Sequence, residues 1–327
     1  MSNNILVFHH TDFDGIGAAA VVYNNCLLKY YLNDNELSIG FFGVNYNDKL
    51  VELKRIKEAE DYGSNNPTEI YIVDLSLSTL KSLLEVQSMI ELFDCKVVYI
   101  DHHVTSIEAW DQYINYPELS ILKEAKESGK LEKILDISRS GAWLAYDHLI
   151  GNDFPDIITY IDDYDRWVHN FPESKLANIA FYASENLMDP TDPTWANMIG
   201  DDTETKGFVE KGRTIKSYRD SNEKRYRNSY MYQSTITDEN GKTYPCAVIS
   251  YKSNSDVFGT AYDEFPIVVA WAFDGVYYSY SLYSNLKDPN INCAAIARMY
   301  GGGGHKGAAG FTSKDLLFKG GLRLKGF

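Results

Sequence analysis

The chain predicts an α/β fold in two parts: a parallel sheet with flanking helices, then, after a helical linker, a smaller mixed-sheet α/β domain. Three observations carry this expectation. In the first half, short β-branched or aromatic runs alternate with longer helical patterns, the signature of strand–helix–strand units. A polar, highly charged stretch at 204–232 then interrupts the apolar periodicity. Beyond it, the turn sequences Asp238-Glu-Asn-Gly241 and Asp274-Gly275 separate apolar runs, as in antiparallel hairpins. With 327 residues, 44% of them hydrophobic, the chain is long enough to bury two cores.

Taken in order, residues 5–8, 37–44, 69–73 and 96–100 are the expected parallel strands. Residues 15–32, 49–60 and 78–90 are the crossover helices. Gly15 permits the tight entry into the first, and Ser78 is the expected N-cap of the third. After Val104 the pattern is mostly helical, through 141–150 and 155–164 to about residue 199. The 204–232 stretch interleaves Lys and Arg with Glu204, Glu210, Asp220 and Glu223, which reads as a solvated linker helix rather than a nucleic-acid patch. Hairpins at 235–237 with 244–250, and at 267–273 with 276–284, build the second domain, with a helix at 291–300. The expected boundaries are 1–200, 201–232 and 233–327.

The net charge of −15 argues against a long basic track for duplex nucleic acid, so an anionic partner should be short and held by metals and local donors. Cys26, Cys95, Cys246 and Cys293 are far apart and lack CxxC pairing, which fits a reducing cytoplasm. No leader pattern opens the chain and no run of about 18 apolar residues occurs, so no membrane association is expected. A homodimer stays open.

Five stretches place Asp or His at the end of apolar runs: His10-Thr-Asp12-Phe-Asp14-Gly15, Ile72-Val-Asp74, Ile100-Asp101-His102-His103, Ile161-Asp162-Asp163-Tyr-Asp165 and Gly301-Gly-Gly-Gly-His305. In open parallel sheets ligands gather outside the carboxyl ends of strands. His10, Asp12 and Asp14 alternate along a strand end and can point the same way. Asp74 is either a ligand or a helix cap. Asp101, His102 and His103 can supply one ligand, one orienting group and one donor to phosphate. Asp163 and Asp165 lie at a helix end, where acid is unfavourable without a cation, although Arg166 could be its partner. Oxygen and imidazole donors without thiolate suit Mn²⁺ or Mg²⁺. Two such ions would clamp a phosphoryl group, which makes phosphate-ester hydrolysis the first hypothesis. Four glycines before His305 allow backbone amides to converge on a phosphate oxygen; Lys306 and Arg139 are lesser candidates for substrate contact.

In combination these motifs resemble the DHH phosphoesterase superfamily over nearly the whole chain, including its C-terminal DHH-associated domain. His10-x-Asp-x-Asp-Gly, Ser140-Gly-Ala and Asp163-x-Asp165-x-Trp167 look most like the nanoRNase/oligoribonuclease branch. The resemblance implies two divalent ions, Mn²⁺ ahead of Mg²⁺. His10 and Asp12 would hold the first, Asp14, His102 and one fourth-motif aspartate the second, and Asp74 both; Asp163 is preferred to Asp165. It further implies that His103 contacts the scissile phosphate with Asp101 behind it, and that Gly302, Gly303, Gly304 and His305 bind substrate. Relatives often carry Ser-Leu-Arg-Ser where this chain reads Ser281-Leu282-Tyr283-Ser284, so Tyr283 stands at the position of an expected phosphate-gripping arginine and could stack on a base. The implied substrates are short RNA oligonucleotides or small nucleotides. The alternatives are a cyclic (di)nucleotide phosphodiesterase, a pyrophosphatase-like hydrolase, or a nucleotide-binding protein on a retired enzyme fold.

Overall fold

The structure, a computed structural model, describes residues 3–31, 36–45, 67–151, 153–251 and 255–327. It divides into two compact units, Met1–Ile215 and Lys216–Phe327. The expected helix at 49–60 lies outside the described residues.

In the first unit β1 (Asn3–His10) leads into α1 (Phe13–Cys26), and β2 (Leu37–Val44) and β3 (Glu69–Val73) follow. Next come α2 (Leu80–Phe93), β4 (Lys96–Asp101), α3 (Val104–Tyr113), α4 (Ser120–Glu127) and β5 (Leu131–Leu135). The five strands are parallel in the order β2-β1-β3-β4-β5. Their buried side chains alternate between two cores, which is why they read as continuous apolar runs. Ile5, Val7, Tyr71, Val73, Val98 and Ile100 face one core. Leu6, Phe8, Ile70, Ile72, Val97 and Tyr99 face the other, with the α2 side chains Leu83, Val86 and Ile90.

Two sequence expectations change here. Thr79, not Ser78, caps α2: its hydroxyl accepts from Ser82 N at 3.1 Å, while Ser82 Oγ accepts from Thr79 N at 3.1 Å, a reciprocal box that outcompetes the single serine. The region after Val104 also contains β5, whose Leu-Glu-Lys-Ile-Leu carries too few β-branched residues to announce a strand.

Four helices complete this unit: α5 (Gly141–Leu149), α6 (Asp156–Asp165), α7 (Pro172–Tyr182) and α8 (Pro193–Gly200). The long α9 (Asp202–Tyr230) contains the division between units, so the stretch expected to be a linker contributes to each. The second unit is a mixed seven-stranded sheet, β10-β11-β9-β8-β7-β6-β12. Its strands are β6 (Tyr232–Thr237), β7 (Thr243–Ser250), β8 (Ile267–Phe273), β9 (Tyr278–Tyr283), β10 (Gly303–Gly304), β11 (Ala308–Ser313) and β12 (Leu322–Arg323), with α10 (Cys293–Met299) before β10. Both expected hairpins form. Asp238 Oδ1 accepts from Asn240 N and Lys242 N, each at 2.9 Å, and Asp274 Oδ1 from Val276 N and Tyr277 N, each at 2.8 Å. Among the described residues no helix is long and apolar enough to cross a membrane.

Candidate metal centre

Register places the first four motifs together. His9 of β1 pairs with Val73 of β3, and Val73 with Ile100 of β4. The next residues, His10, Asp74 and Asp101, therefore form a row across three adjacent strand ends. Asp74 leaves β3 with φ +52°, a left-handed conformation that aspartate tolerates better than most residues, and its N–H donates to Ile100 O at 2.9 Å. Gly15 is required by proximity: a Cβ there would stand 2.3 Å from His10 O.

The donors fall into three overlapping groups, each with one ligand atom per residue within 4.8 Å of the others: His10, Asp12 and Asp74; Asp14, His102 and Asp165; Asp74, His102 and His103. His102 Nε2 stands 3.1 Å from Asp74 Oδ1, 3.4 Å from Asp165 Oδ2 and 3.6 Å from Asp14 Oδ2. His10 Nδ1 lies 2.8 Å from Asp12 Oδ2. Asp12 also caps α1, accepting from Gly15 N at 2.9 Å. Asp14 is buried and held by the N-terminus of α5, accepting from Gly141 N at 2.6 Å and Ala142 N at 2.8 Å.

Charge is crowded here. Burial first, then the negative charges of Asp14, Asp12, Asp101 and Asp165, pushes the Asp74 carboxyl well above its ordinary value. Burial, then Asp14 and Asp12, pushes Asp165 up to about 8. Asp14 is raised by burial, against the opposing pull of His102. Burial acts on Asp12 in the same sense, but hydrogen bonds from His10 and Gly15 N overcome it and lower that group. Asp74 Oδ1 is buried and receives no aligned hydrogen bond among the described residues. A buried carboxylate oxygen without a donor, facing an imidazole nitrogen and other carboxylates, is what a divalent cation satisfies, so the donor set fits a metal.

Asp101 is different: it is fully buried and belongs to none of the three donor groups. Oδ1 lies 2.7 Å from His103 Nδ1, and Oδ2 accepts from Tyr99 OH at 3.1 Å and from the Ser106 hydroxyl. Burial would lower the His103 pKa, but the Asp101 hydrogen bond and charge, with Asp165 and Asp14, raise it. Asp101 thus orients His103 and favours its charged form.

In the fourth motif the two candidate aspartates stand in different surroundings. Asp163 is buried, and its carboxylate accepts from Asn170 N at 2.7 Å and Phe171 N at 3.3 Å, which commits it to the loop after α6. Asp165 is the residue beside His102. Asp162 accepts from Ser140 N at 2.7 Å, Arg139 at 3.2 Å and Arg166 at 3.1 Å. Arg139, expected at substrate, is therefore paired with Asp162, and its guanidinium lies 4.2 Å from the Trp143 ring centroid. Gly141 has a role that was not assigned from sequence: a Cβ there would meet Asp74 Cβ at 2.7 Å and Asp14 Oδ2 at 3.1 Å. The signal was present in Ser140-Gly-Ala, a capping serine followed by two small residues.

In the second unit three amides of the segment expected to cradle phosphate are engaged by the chain's own carbonyls. Gly301 N donates to Arg298 O, Gly302 N to Ala297 O and His305 N to Ala308 O. Gly303 and Gly304 pair with β11 in a tight hairpin, where a Cβ on Gly304 would stand 2.6 Å from Ala309 Cα. His305 and Lys306 are exposed there, as are Gly303 and Gly304. Tyr283 is half-buried against the cluster containing Ile249, Phe258 and Val268 rather than standing free for a base.

Residues 4–164 match the family model described as DHH family, N-terminal domain. The chain belongs to the DHH family. With the donor set above, membership makes this DHH protein a metal-dependent phosphoesterase, a hydrolase acting on phosphoester bonds. The chain is similar to three solved structures. They are an uncharacterized protein from Helicobacter pylori G27 (13% identity, 96% of this chain and 94% of that one, TM-score 0.40) and the pGpG-specific phosphodiesterase PggH from Vibrio cholerae (13%, 96% and 94%, 0.48). The third is the exonuclease RecJ bound to manganese (13%, 97% and 87%, 0.44). Likenesses this loose do not bear on substrate. Comparison with curated proteins gives no match.

Proposed function

We propose that this DHH protein hydrolyses phosphodiester or phosphomonoester bonds in short oligonucleotides or small nucleotides, using two Mn²⁺ ions. The observation that carries the reading is the sharing of donors between groups: Asp74 belongs with His10 and Asp12 and also with His102. That pattern suits two adjacent cations better than one. His10, Asp12 and Asp74 would hold the first, and Asp14, Asp74, His102 and Asp165 the second. Bound there, the ions supply the charge that acidifies a water and neutralises the attacking and leaving oxygens of an in-line displacement.

The chain's own groups account for the rest. The amides of Gly141 and Ala142 fix Asp14, and the Asp101–His103 pair presents a charged imidazole to a non-bridging phosphate oxygen. His305 and Lys306 are the second unit's candidates for phosphate contact. With the Gly302 and His305 amides taken by the chain's own carbonyls, an amide donor to phosphate in this hairpin would come from Gly303 or Gly304. The net charge of −15 supports short substrates over long polyanions.

The test is a panel of short RNAs, mononucleotides, cyclic nucleotides and pyrophosphate, assayed with Mn²⁺ and with chelator, alongside elemental analysis. Two metals per chain and chelator-sensitive release of nucleotides from short RNA are expected. Full activity in excess chelator would overturn the two-metal reading.

A further inference from the structure

Beside the metal centre lies a recess of about 100 Å³, bounded on one side by Asp12, Asp14 and Asp165. Its other walls are Phe13, Ile161, Tyr164, Trp167, Asn178 and Tyr182. Trp167 is 79% exposed and Tyr182 58% exposed, so the recess is walled by two aromatic side chains that stay open to solvent. Trp167 is also held in place. It has φ +55°, its N–H donates to Tyr164 O at 3.1 Å, and its ring meets His169 edge-on at 5.2 Å. The following turn is fastened by Asp163, whose backbone oxygen accepts from Val168 N and His169 N and whose carboxylate accepts from Asn170 N. A strained, exposed tryptophan fixed by a buried aspartate is a preorganised surface.

The walls identify the occupant. Among the described residues they include no lysine or arginine, and the aspartates on the acidic side are spent on metal in the reading above, so the walls keep no group of their own to grip a phosphate. It suits a flat, uncharged ring that stacks on an indole or phenol and exchanges hydrogen bonds with one carboxamide. An enclosed aromatic ring needs about 150 Å³, more than this recess offers, so a base would seat only its edge there while its face rests on the exposed Trp167 ring. We propose that this recess is a nucleobase subsite, with Trp167 and Tyr182 as its stacking faces and Asn178 as its polar contact. It would take the base of the nucleotide whose phosphate lies at the metal centre. This rests on the phosphoesterase reading and specifies its substrate: a nucleotide ester with at least one intact base next to the cleaved bond.

The experiment compares Mn²⁺-loaded wild type, Trp167→Ala and Trp167→Phe on an RNA dinucleotide and on the same dinucleotide with an abasic sugar on either side. Stacking on one aromatic face predicts that Trp167→Ala raises KM for the intact dinucleotide about 5- to 150-fold with kcat little changed. Trp167→Phe should restore most of it, and loss of the base on one side should remove the difference between wild type and Trp167→Ala. Separately, 2-aminopurine in a phosphorothioate dinucleotide should be quenched on binding wild type and not on binding Trp167→Ala. An unchanged KM, or a loss in Trp167→Ala of the same size with and without the base, overturns the subsite. A wild type inactive on every ester overturns the phosphoesterase reading instead, and the quenching measurement then decides the subsite alone.

Discussion

Gly141→Ala separates catalysis from stability more cleanly than removal of any ligand. The alanine Cβ would lie 2.7 Å from Asp74 Cβ, so the two carbons must part by about 0.7 Å to reach the 3.4 Å at which ordinary contact begins. Asp74 has little room to give: it is buried, follows directly on β3 and has φ +52°. The same Cβ would press Asp14 Oδ2, which Gly141 N itself holds at 2.6 Å. Overpacking costs about 1–3 kcal/mol. Exchanging glycine for alanine at a helix start returns at most about 1 kcal/mol, so the protein should remain folded. If Asp14 and Asp74 hold the metals as proposed, displacing them by most of an ångström should lower kcat by about 100-fold, or about 2.7 kcal/mol of barrier. Urea denaturation with and without Mn²⁺, beside kcat on a short RNA, measures both effects. A folded Gly141→Ala protein with wild-type kcat and wild-type metal content would refute the reasoning.

Asp74→Asn removes the carboxylate shared by two donor groups, so elemental analysis should show both metals weakened together; two metals retained per chain would contradict the shared role. Asp165→Ala should lose one metal without lowering chelator-treated stability, and should raise it toward pH 8 by removing an acid whose ionisation is disfavoured there, whereas Asp163→Ala should lower Tm by releasing the Asn170 and Phe171 amides. The opposite pattern would restore Asp163 as the ligand. For the metal-free protein the pH dependence has a definite sign. The Asp165 carboxyl is raised to about 8 by burial and neighbouring acids, with Asp14 and Asp74 raised too. Stability from such groups is fully present below their unfolded values and is lost as pH rises through the folded ones. In chelator Tm should fall from about pH 5 to 8, and Mn²⁺ should raise it most at the upper end; a chelated Tm that climbs over that range counts against the assignment. Tyr283→Ala should destabilise by about 3 kcal/mol or less, since its ring is half-buried, while leaving discrimination between bases intact, and a change in that discrimination would return Tyr283 to the substrate.

Much of this was legible in the sequence for a physical reason. A strand buried on both faces must be apolar, so an Asp or His at its end stands out, and parallel strands bring their carboxyl ends to one edge. His10, Asp74 and Asp101 were visible on those grounds. What local pattern could not show was the competition for each polar group. The amides of Gly301, Gly302 and His305 are taken by nearby carbonyls, and Arg139 by Asp162, because every buried or half-buried donor takes the nearest acceptor its backbone can reach. Gly141 was opaque for a related reason: its importance lies in what a missing Cβ leaves room for on β3, far away in sequence.

The placement of Asp165, and not Asp163, beside His102 follows from how α6 packs. Along α6 the buried residues Ile157 and Ile161 are four apart, and Asp165 continues the same row. Ile161 packs so closely on α1 that a Cβ on Gly17 would stand 2.8 Å from its Cδ1. The row therefore runs along α1, the helix that carries Asp14, and its next member is a carboxylate presented to Asp14 and His102. Asp162 lies three residues before Asp165, close enough on the helix surface to meet the start of α5 through Ser140. Asp163, about 200° around the helix from Asp165, meets the loop that follows instead. The equally buried Ile158 leads by the same spacing to Asp162, so it is the packing of Ile161 on α1 that singles out the row ending at Asp165, while Asp163 is held in the turn that carries Trp167.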